Sequence, residues 1–267
     1  RTFNIPKEVR QAYLHWRPTP MFRAHALEKE LGTPAKLFYK VEGGSPSGSY
    51  ESNTAIPQAF YTKKVGAKGI VSGGAGGVWI SAMGHAASLF GLTSRIYSVR
   101  KVNSEDAWGD AYGRVWGVDV QPSPSENTRF GRLEFKKKGS DSGSIATALA
   151  EAYEEATLNP DVKFAIPTLM GSTLIHQTVV GLEAQRQLAA IDKTPDYVIG
   201  SIGAGSHFGG LIAPFVPTRL QGRDTRFVAV EEASTPSLTR GVYAEESADA
   251  AGLMPQVPMY TLGREYS

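Results

Sequence analysis

Residues 71–84 read VSGGAGGVWISAMG, a β-type run that passes through consecutive small residues into a helical pattern. Small residues between a strand and a helix let backbone N–H groups converge, an arrangement that favours anions. A second stretch, VIGSIGAGSHFGGL at residues 198–211, repeats the pattern. The pair predicts a ligand with two anionic ends, or two anionic ligands. For each turn alone, a tight strand-to-helix connection without a ligand is the alternative.

Short β-type runs alternate with longer helical patterns outward from these two turns. This alternation predicts an α/β fold with a mostly parallel sheet covered by helices. No internal repeat or low-complexity segment interrupts it. The predicted strands are 37–39, 69–71, 94–99, 118–120, 198–199 and 227–230, and the clearest predicted helices are 144–157 and 174–189.

Composition limits the classes of function. A chain of 267 residues, 41% hydrophobic and 20% charged, is long enough to bury a globular core. No apolar run approaches the ~18 residues of a membrane helix, and the first residues do not resemble a signal peptide, so we expect a cytoplasmic protein that binds no membrane. The absence of cysteine excludes thiol chemistry. A formal charge of +2 argues against nucleic acid, and the five histidines show no paired ligand spacing, so we expect no metal.

The stretch SPSGSYESNTA, residues 45–55, has the character of an active-site loop. Pro46 and the small residues around it predict a tight turn, and the residues after Ser52 begin a helical pattern. The loop therefore delivers Tyr50 and Glu51 to the start of a helix.

The chain as a whole resembles the tryptophan synthase β-subunit family, in its second, longer-N-terminus branch, within the fold-type II pyridoxal-phosphate enzymes. The resemblance implies the tryptophan synthase β-like fold, with two parallel or mixed sheets covered by helices. It is carried, in order over nearly the whole chain, by RPTPMFRAHALEKELGTPAKLFYKVEG, SPSGS followed by NTA, GGAGG, HQTVVGLEA, GSIGAGSHFGGL, VAVEEASTPSLTRGVYA and MYTLG.

Departures from the family pattern fall on its chemistry. Tyr50 and Glu51 stand where the family has a histidine and the lysine that forms the Schiff base, and a carboxylate cannot form an imine. Ser72 stands where the family has its general acid/base glutamate. The family also continues past MYTLG into a segment that completes its pockets. The resemblance therefore leads us to expect no cofactor.

Retention of both glycine turns favours an enzyme with a new role. We expect condensation of tryptophan or a related indolylethylamine with an anionic aldehyde or 2-oxo acid, a Pictet–Spengler-type cyclisation to a tetrahydro-β-carboline of the kind used in alkaloid biosynthesis. The substrate's own amine forms the iminium, so no enzymic lysine is needed, and an acid/base moves the protons. The alternative is a non-catalytic homologue that binds ligand or regulates a partner subunit.

Candidate residues follow from the loop, the turns and the resemblance. Glu51 is the predicted acid/base, with a pKa that burial must raise. Tyr50 is a predicted hydrogen-bond donor to the carbonyl oxygen. Glu231, which matches a family residue that faces the cofactor ring, is a predicted second acid/base, and solvation at the end of a strand is the alternative. Trp79 is expected to pack rather than to contact substrate. The predicted substrate-binding residues are Ser72, Gly73, Gly74, Ala75, Gly76 and Gly77 for a carboxylate, and Gly203, Ala204, Gly205, Ser206 and His207 for a phosphate or carboxylate.

Two domains and a homodimer complete the prediction. Residues 1–51 and 191–267 form the expected domain around the second glycine turn. Residues 52–190 form an inserted domain around the first. The family's dimers lead us to expect a homodimer, and the candidate loop and both turns are expected to face the cleft between the domains.

Overall fold

A computed structural model describes residues 4–100, 107–139 and 143–263. Strands and helices alternate from the third strand to the eighth, as the sequence predicts. The strands are β1 (Met21–Arg23), β2 (Phe38–Lys40), β3 (Gly69–Gly74), β4 (Thr93–Val99), β5 (Asp119–Ser123), β6 (Val162–Ala165), β7 (Tyr197–Ser201), β8 (Arg226–Val230), β9 (Val242–Ser247) and β10 (Gln256–Thr261). The helices are α1 (Lys7–Tyr13), α2 (His25–Glu30), α3 (Ser52–Lys64), α4 (Gly77–Leu89), α5 (Ala107–Val115), α6 (Arg129–Lys138), α7 (Ile145–Leu158), α8 (Gly171–Ala189), α9 (Ser206–Ile212), α10 (Val216–Leu220) and α11 (Ser237–Arg240).

The larger sheet has four parallel strands in the order β5-β4-β3-β6. All six residues of β3 are buried, because helices cover both faces, as parallel sheets require. Helices α3 and α4 pack on one face through a core that includes Ile56, Ile80 and Met83. Helix α7 covers the other face, where Ala148 and Ala152 contact Val71 and Tyr97 of the sheet.

Local sequence explains where two of these helices begin. The side chain of Ser144 accepts a hydrogen bond from the N–H of Thr147 at the start of α7. Thr128 does the same for the N–H of Gly131 at the start of α6. Such caps satisfy backbone donors that have no partner inside the helix.

The smaller parallel sheet consists of β7 and β8. Ala184 and Leu188 of α8 pack on it together with Phe215, around Val198 of β7. Antiparallel pairs, β1 with β2 and β9 with β10, complete the fold.

These parallel and antiparallel sheets, covered by helices, confirm the predicted α/β class. The division into residues 52–190 and two flanking segments stays a prediction. No helix in the described part of the chain combines the length and apolar character that a membrane span needs.

Candidate active site

A cavity of about 230 Å³ lies where β3 and β7 end. Carboxyl ends of parallel strands are the usual place for ligand sites in open α/β sheets. The loop before α3, both glycine turns and the first turn of α4 contribute to its walls. The lining residues are Tyr50, Glu51, Gly74, Ala75, Trp79, Ile145, Pro167, Thr168, Ser201, Ile202, Gly203, Ala204, Gly205, Ser206, His207 and Phe208.

Glu51 is the carboxyl group of this cavity. It immediately precedes the first residue of α3 and is partly buried. Its Oε2 atom is fully buried and has no hydrogen-bond partner in the described part of the chain. Burial raises the pKa of the Glu51 carboxyl from 4.5 to about 7, because the charged form loses hydration without gaining a partner. The group is therefore poised to bind and release a proton near neutral pH.

Tyr50 and His207 join two walls of the cavity. Their rings stack with centroids 4.3 Å apart and planes inclined by 13°. Burial, and then the neighbouring Glu51, raises the pKa of Tyr50. Burial lowers the pKa of His207. At neutral pH both rings are therefore uncharged, and the stack is apolar on its faces with polar atoms at its edges.

A buried polar network holds the main chain of the Tyr50–Glu51 loop. The side-chain amide of Gln177, on α8, donates to the carbonyl oxygen of Tyr50 at 3.1 Å. Asn53 donates to the side-chain oxygen of Gln177 at 3.1 Å, and Arg17 donates to the side-chain oxygen of Asn53 at 3.1 Å. Gln177 and Asn53 are both fully buried. The loop is thus held in place by a chain of three hydrogen-bonded side chains.

Ion pairs complete this network. Arg17 contacts Glu42 at 2.9 Å and Glu183 at 3.0 Å, and Lys40 contacts Glu183 at 2.8 Å. The two cations balance the two carboxylates, as buried charges require. Sequence reasoning did not identify Arg17, Asn53 or Gln177, because their contacts join positions up to 166 residues apart and leave no local pattern.

The second glycine turn lies open to the cavity. Gly203, Ala204 and Gly205 line it, and their backbone N–H groups donate to no acceptor in the described part of the chain. Gly205 has a φ of 93°, a conformation that favours glycine. At Gly203 and Gly205 a Cβ atom would meet nothing within 4 Å. Ser206 shares a hydrogen bond of 2.8 Å with Thr168.

The first glycine turn is largely packed. Ser72, Gly73 and Gly74 belong to β3, and Gly77 already begins α4. A Cβ atom on Gly73 would lie 2.4 Å from the backbone of Ala148. Of the six residues predicted to bind a carboxylate, only Gly74 and Ala75 line the cavity. Ser72 and Gly73 lie outside its walls because β3 runs further than expected and buries them. Gly76 and Gly77 also lie outside its walls, at the start of α4.

Glu231 lies outside the cavity walls. Its carboxylate accepts hydrogen bonds from the N–H of Leu238, at 2.8 Å, and from the N–H and hydroxyl of Thr239, at 3.0 and 2.6 Å. These bonds, from the Thr239 hydroxyl and then the Leu238 amide, hold the pKa of Glu231 below its usual value. The structure therefore gives this carboxylate a capping position at α11 and does not bring it to Glu51.

Comparison with curated proteins finds relatives along the whole chain. The tryptophan synthase beta chain 2 of Thermotoga maritima is 44% identical over 266 residues, which cover 100% of this chain and 63% of the relative. The tryptophan synthase beta chain 2 of Methanosarcina mazei is 40% identical over 267 residues, covering 100% and 60%. The chain thus spans about three fifths of the length of these relatives.

These relatives overturn the expected reaction. The assignment of a cofactor-independent Pictet–Spengler cyclisation to β-carbolines is wrong, because proteins similar over the whole chain are named tryptophan synthase beta chains and the matching family is one of pyridoxal-phosphate-dependent enzymes. The expectation gave the substituted loop residues more weight than the similarity of the remaining chain. The alternative of a non-catalytic homologue gains no support from these relatives.

Solved structures agree on the fold. Maize serine racemase aligns with a TM-score of 0.65 at 18% identity, covering 97% of this chain and 74% of that one. A threonine deaminase (T.th.) aligns with the same score and identity, covering 95% and 76%. The family model described as "Pyridoxal-phosphate dependent enzyme" matches residues 12–263. By sequence and fold, the chain belongs to the family of pyridoxal-phosphate-dependent enzymes.

Proposed function

We propose that this protein is an enzyme that binds a small anionic ligand at the second glycine turn and moves a proton with Glu51. The observation that carries the proposal is the buried Oε2 atom of Glu51, which has no partner in the described chain and belongs to a residue that lines the cavity. An unpaired carboxyl with a strongly raised pKa in a cavity is typical of a functional site. A stabilising role alone would leave such a group paired.

The cavity only partly fits pyridoxal phosphate, the group that the family implies. The free N–H groups of Gly203, Ala204 and Gly205 suit a phosphate. Covalent attachment needs an amine, and no lysine belongs to the cavity walls that the structure describes. Glu51, which the resemblance aligns with the family's lysine, cannot form an imine. The described residues therefore do not fit pyridoxal phosphate as a covalently held cofactor.

Glu51 supplies the proton chemistry. With a pKa of about 7, the carboxyl is partly protonated at neutral pH, so it can serve as donor or acceptor without a large free-energy cost. The Gln177 side chain holds the carbonyl of Tyr50 at 3.1 Å, which fixes the main chain beside Glu51. A positioned acid/base of this kind contributes about 10²–10⁴-fold to a rate.

The glycine turn supplies ligand orientation. Its three free amides line the same cavity as Glu51, so a ligand anchored there by a phosphate or carboxylate presents its remaining atoms to the carboxyl. The name of the relatives favours an amino-acid ligand, because tryptophan synthase is named for an amino acid. The expected homodimer remains part of this proposal.

The experiment combines ligand binding with turnover. Inorganic phosphate, pyridoxal phosphate, serine and tryptophan are titrated calorimetrically, and bound ligands are incubated together and analysed by mass spectrometry. Glu51→Gln is expected to keep anion affinity and to lower turnover by about 10²-fold or more. The pH profile of the parent is expected to bend near 7, and this bend is expected to disappear in Glu51→Gln.

The matched control is Glu245→Gln, which neutralises an exposed carboxylate on β9, far from the cavity walls in sequence. It is expected to behave like the parent. Equal turnover in Glu51→Gln and Glu245→Gln would remove Glu51 from the chemistry. Failure of every anion to bind the parent would overturn the role of the glycine turn.

A further inference from the structure

Two carboxylates in the described part of the chain are fully buried, and both have donors. Glu151 accepts hydrogen bonds from the hydroxyl of Ser125 at 2.6 Å and from that of Thr128 at 2.8 Å. Asp249 accepts from three backbone N–H groups of the turn that follows it. In contrast, the buried Oε2 atom of Glu51 has no donor in that part of the chain.

The carboxylates next to the Tyr50–Glu51 loop have cationic partners. Glu42 pairs with Arg17, and Glu183 pairs with Arg17 and Lys40. The fold thus supplies a partner to each of these carboxylates that it removes from water, because an unpaired buried charge is costly. Glu51 departs from this pattern, and it does so on the wall of a cavity. A bound ligand can supply the missing donor.

The charges on the cavity walls favour a cationic donor. Besides Glu51, the titratable residues that line the cavity are Tyr50 and His207. Burial raises the pKa of Tyr50, and burial lowers the pKa of His207, although Glu42 opposes this shift. Both side chains are therefore uncharged near pH 7. An ionised Glu51 then places a negative charge on walls where no described side chain neutralises it, and where water screens it poorly.

We propose that Glu51 binds the ammonium group of a ligand whose anionic group lies at the second glycine turn, so that the cavity takes zwitterions. Amino acids and aminoalkyl phosphates belong to this class. The inference rests on the proposed function, since it takes the free N–H groups of Gly203, Ala204 and Gly205 as the anion site. It adds a second recognition group to the same cavity. An N⁺–H···O⁻ hydrogen bond satisfies the buried oxygen and is stronger than a bond between neutral groups.

The preference for an amine is expected to depend on pH. Burial raises the pKa of Glu51 from 4.5 to about 7, so the carboxyl of the free protein is largely protonated at pH 6 and largely ionised at pH 8. An ammonium group binds the ionised form, and its binding below pH 7 therefore releases a proton. We expect the gain in affinity due to the amine to be about tenfold smaller at pH 6 than at pH 8.

The test compares ligands that differ only in the amine. Aminoalkyl phosphates with chains of two, three or four carbons are titrated calorimetrically into the parent, each beside the alkyl phosphate of the same length. For at least one length the amine is expected to raise the affinity about tenfold or more at pH 8. The ratio of the two affinities cancels the ionisation of the phosphate itself. Titration in two buffers of different ionisation enthalpy measures the released proton.

Glu51→Gln has the shape of the parent but cannot ionise. It is expected to bind alkyl phosphates as the parent does and to lose both the amine preference and its dependence on pH. Glu245→Gln, the exposed control on β9, is expected to match the parent. The alkyl phosphates report folding and the anion site in each variant, so a loss confined to the amine ligands cannot come from unfolding.

The outcomes separate this inference from the proposed function. A parent that binds alkyl phosphates and aminoalkyl phosphates equally at every length would overturn the role of Glu51 in ligand binding. An unchanged amine preference in Glu51→Gln would overturn it as well. A parent that binds neither series would overturn the anion site, and with it the proposed function.

Discussion

The two glycine turns have similar sequences and different structural roles. In the first, Gly73 and Gly74 lie inside β3, where neighbouring atoms leave no room for a side chain. In the second, Gly203 and Gly205 follow β7, where a side chain would meet nothing within 4 Å. Glycine allows close packing in the first turn, and it leaves the backbone exposed in the second turn. In this chain a glycine run therefore leaves an open backbone surface only where the strand has already ended.

The packed turn is expected to show the largest effect on stability. Gly73→Ala places a Cβ atom 2.4 Å from the backbone of α7, and backbone cannot move aside as a flexible side chain can. We expect a loss of about 3 kcal/mol in the free energy of unfolding, measured by urea denaturation. Gly171→Ala, at an open position at the start of α8, is the control. A loss no larger than that of the control would break the distinction between the turns.

Replacing Glu51 is expected to stabilise the folded protein, whereas Gly73→Ala destabilises it. The reason is that burial disfavours the charged form of the Glu51 carboxyl in the cavity. Its pKa is raised from 4.5 to about 7, so the folded protein binds the proton more tightly than the unfolded chain. The contribution of Glu51 to stability is therefore most favourable below pH 4.5 and declines as pH rises to 7. Above pH 7, Glu51→Gln is expected to be more stable than the parent by about 2 kcal/mol.

Thermal denaturation between pH 4.5 and 8 measures this difference. The two proteins are expected to converge at the acid end, where the parent carboxyl is protonated. A constant difference across the range would contradict the raised pKa. A less stable Glu51→Gln at pH 8 would show that the carboxylate has a stabilising partner.

The open turn is expected to show the smallest effect on stability. Gly203→Ala adds a methyl group where there is room and where φ does not demand glycine. We expect the free energy of unfolding to change by less than about 0.5 kcal/mol, while phosphate affinity falls about tenfold because the methyl group keeps the anion from the backbone. Calorimetry measures the phosphate affinity, and a melting curve on the same samples measures the stability. Gly44→Ala, at an open surface position, is the control. Unchanged phosphate affinity would contradict the anion site.

The sequence predicted several strands from their residue types alone. The predictions at 94–99, 198–199 and 227–230 fall within β4, β7 and β8, because each run contains the β-branched or aromatic residues that favour strands. Strand β6 was missed, since VKFA is short and carries Lys163 in its interior. Its place at the edge of the sheet comes from pairing with β3, about 90 residues earlier in the chain.

The site was predicted in part. Glu51, Tyr50 and the second turn line one cavity, since each lies at the end of an element that the sequence already indicated. The packing of the first turn was not predictable, because it depends on Ala148 of α7 and on the rotation of α4 that buries Trp79. Trp79 was expected only to pack, whereas it both packs and lines the cavity. Neither a glycine count nor local spacing contains this information.

The buried polar network that holds Tyr50 limits how the Tyr50–Glu51 loop can move. Arg17, Asn53 and Gln177 join the N-terminal segment, α3 and α8 into one unit, and any opening of the loop would leave charged and amide groups without partners in a buried place. We therefore expect the amides at the start of α3 to exchange their hydrogens with solvent only when the whole fold opens. The loop is then expected to act as a fixed platform beneath any ligand. A ligand that enters the cavity is expected to displace the opposite wall, where Gly203 and Ala204 are exposed.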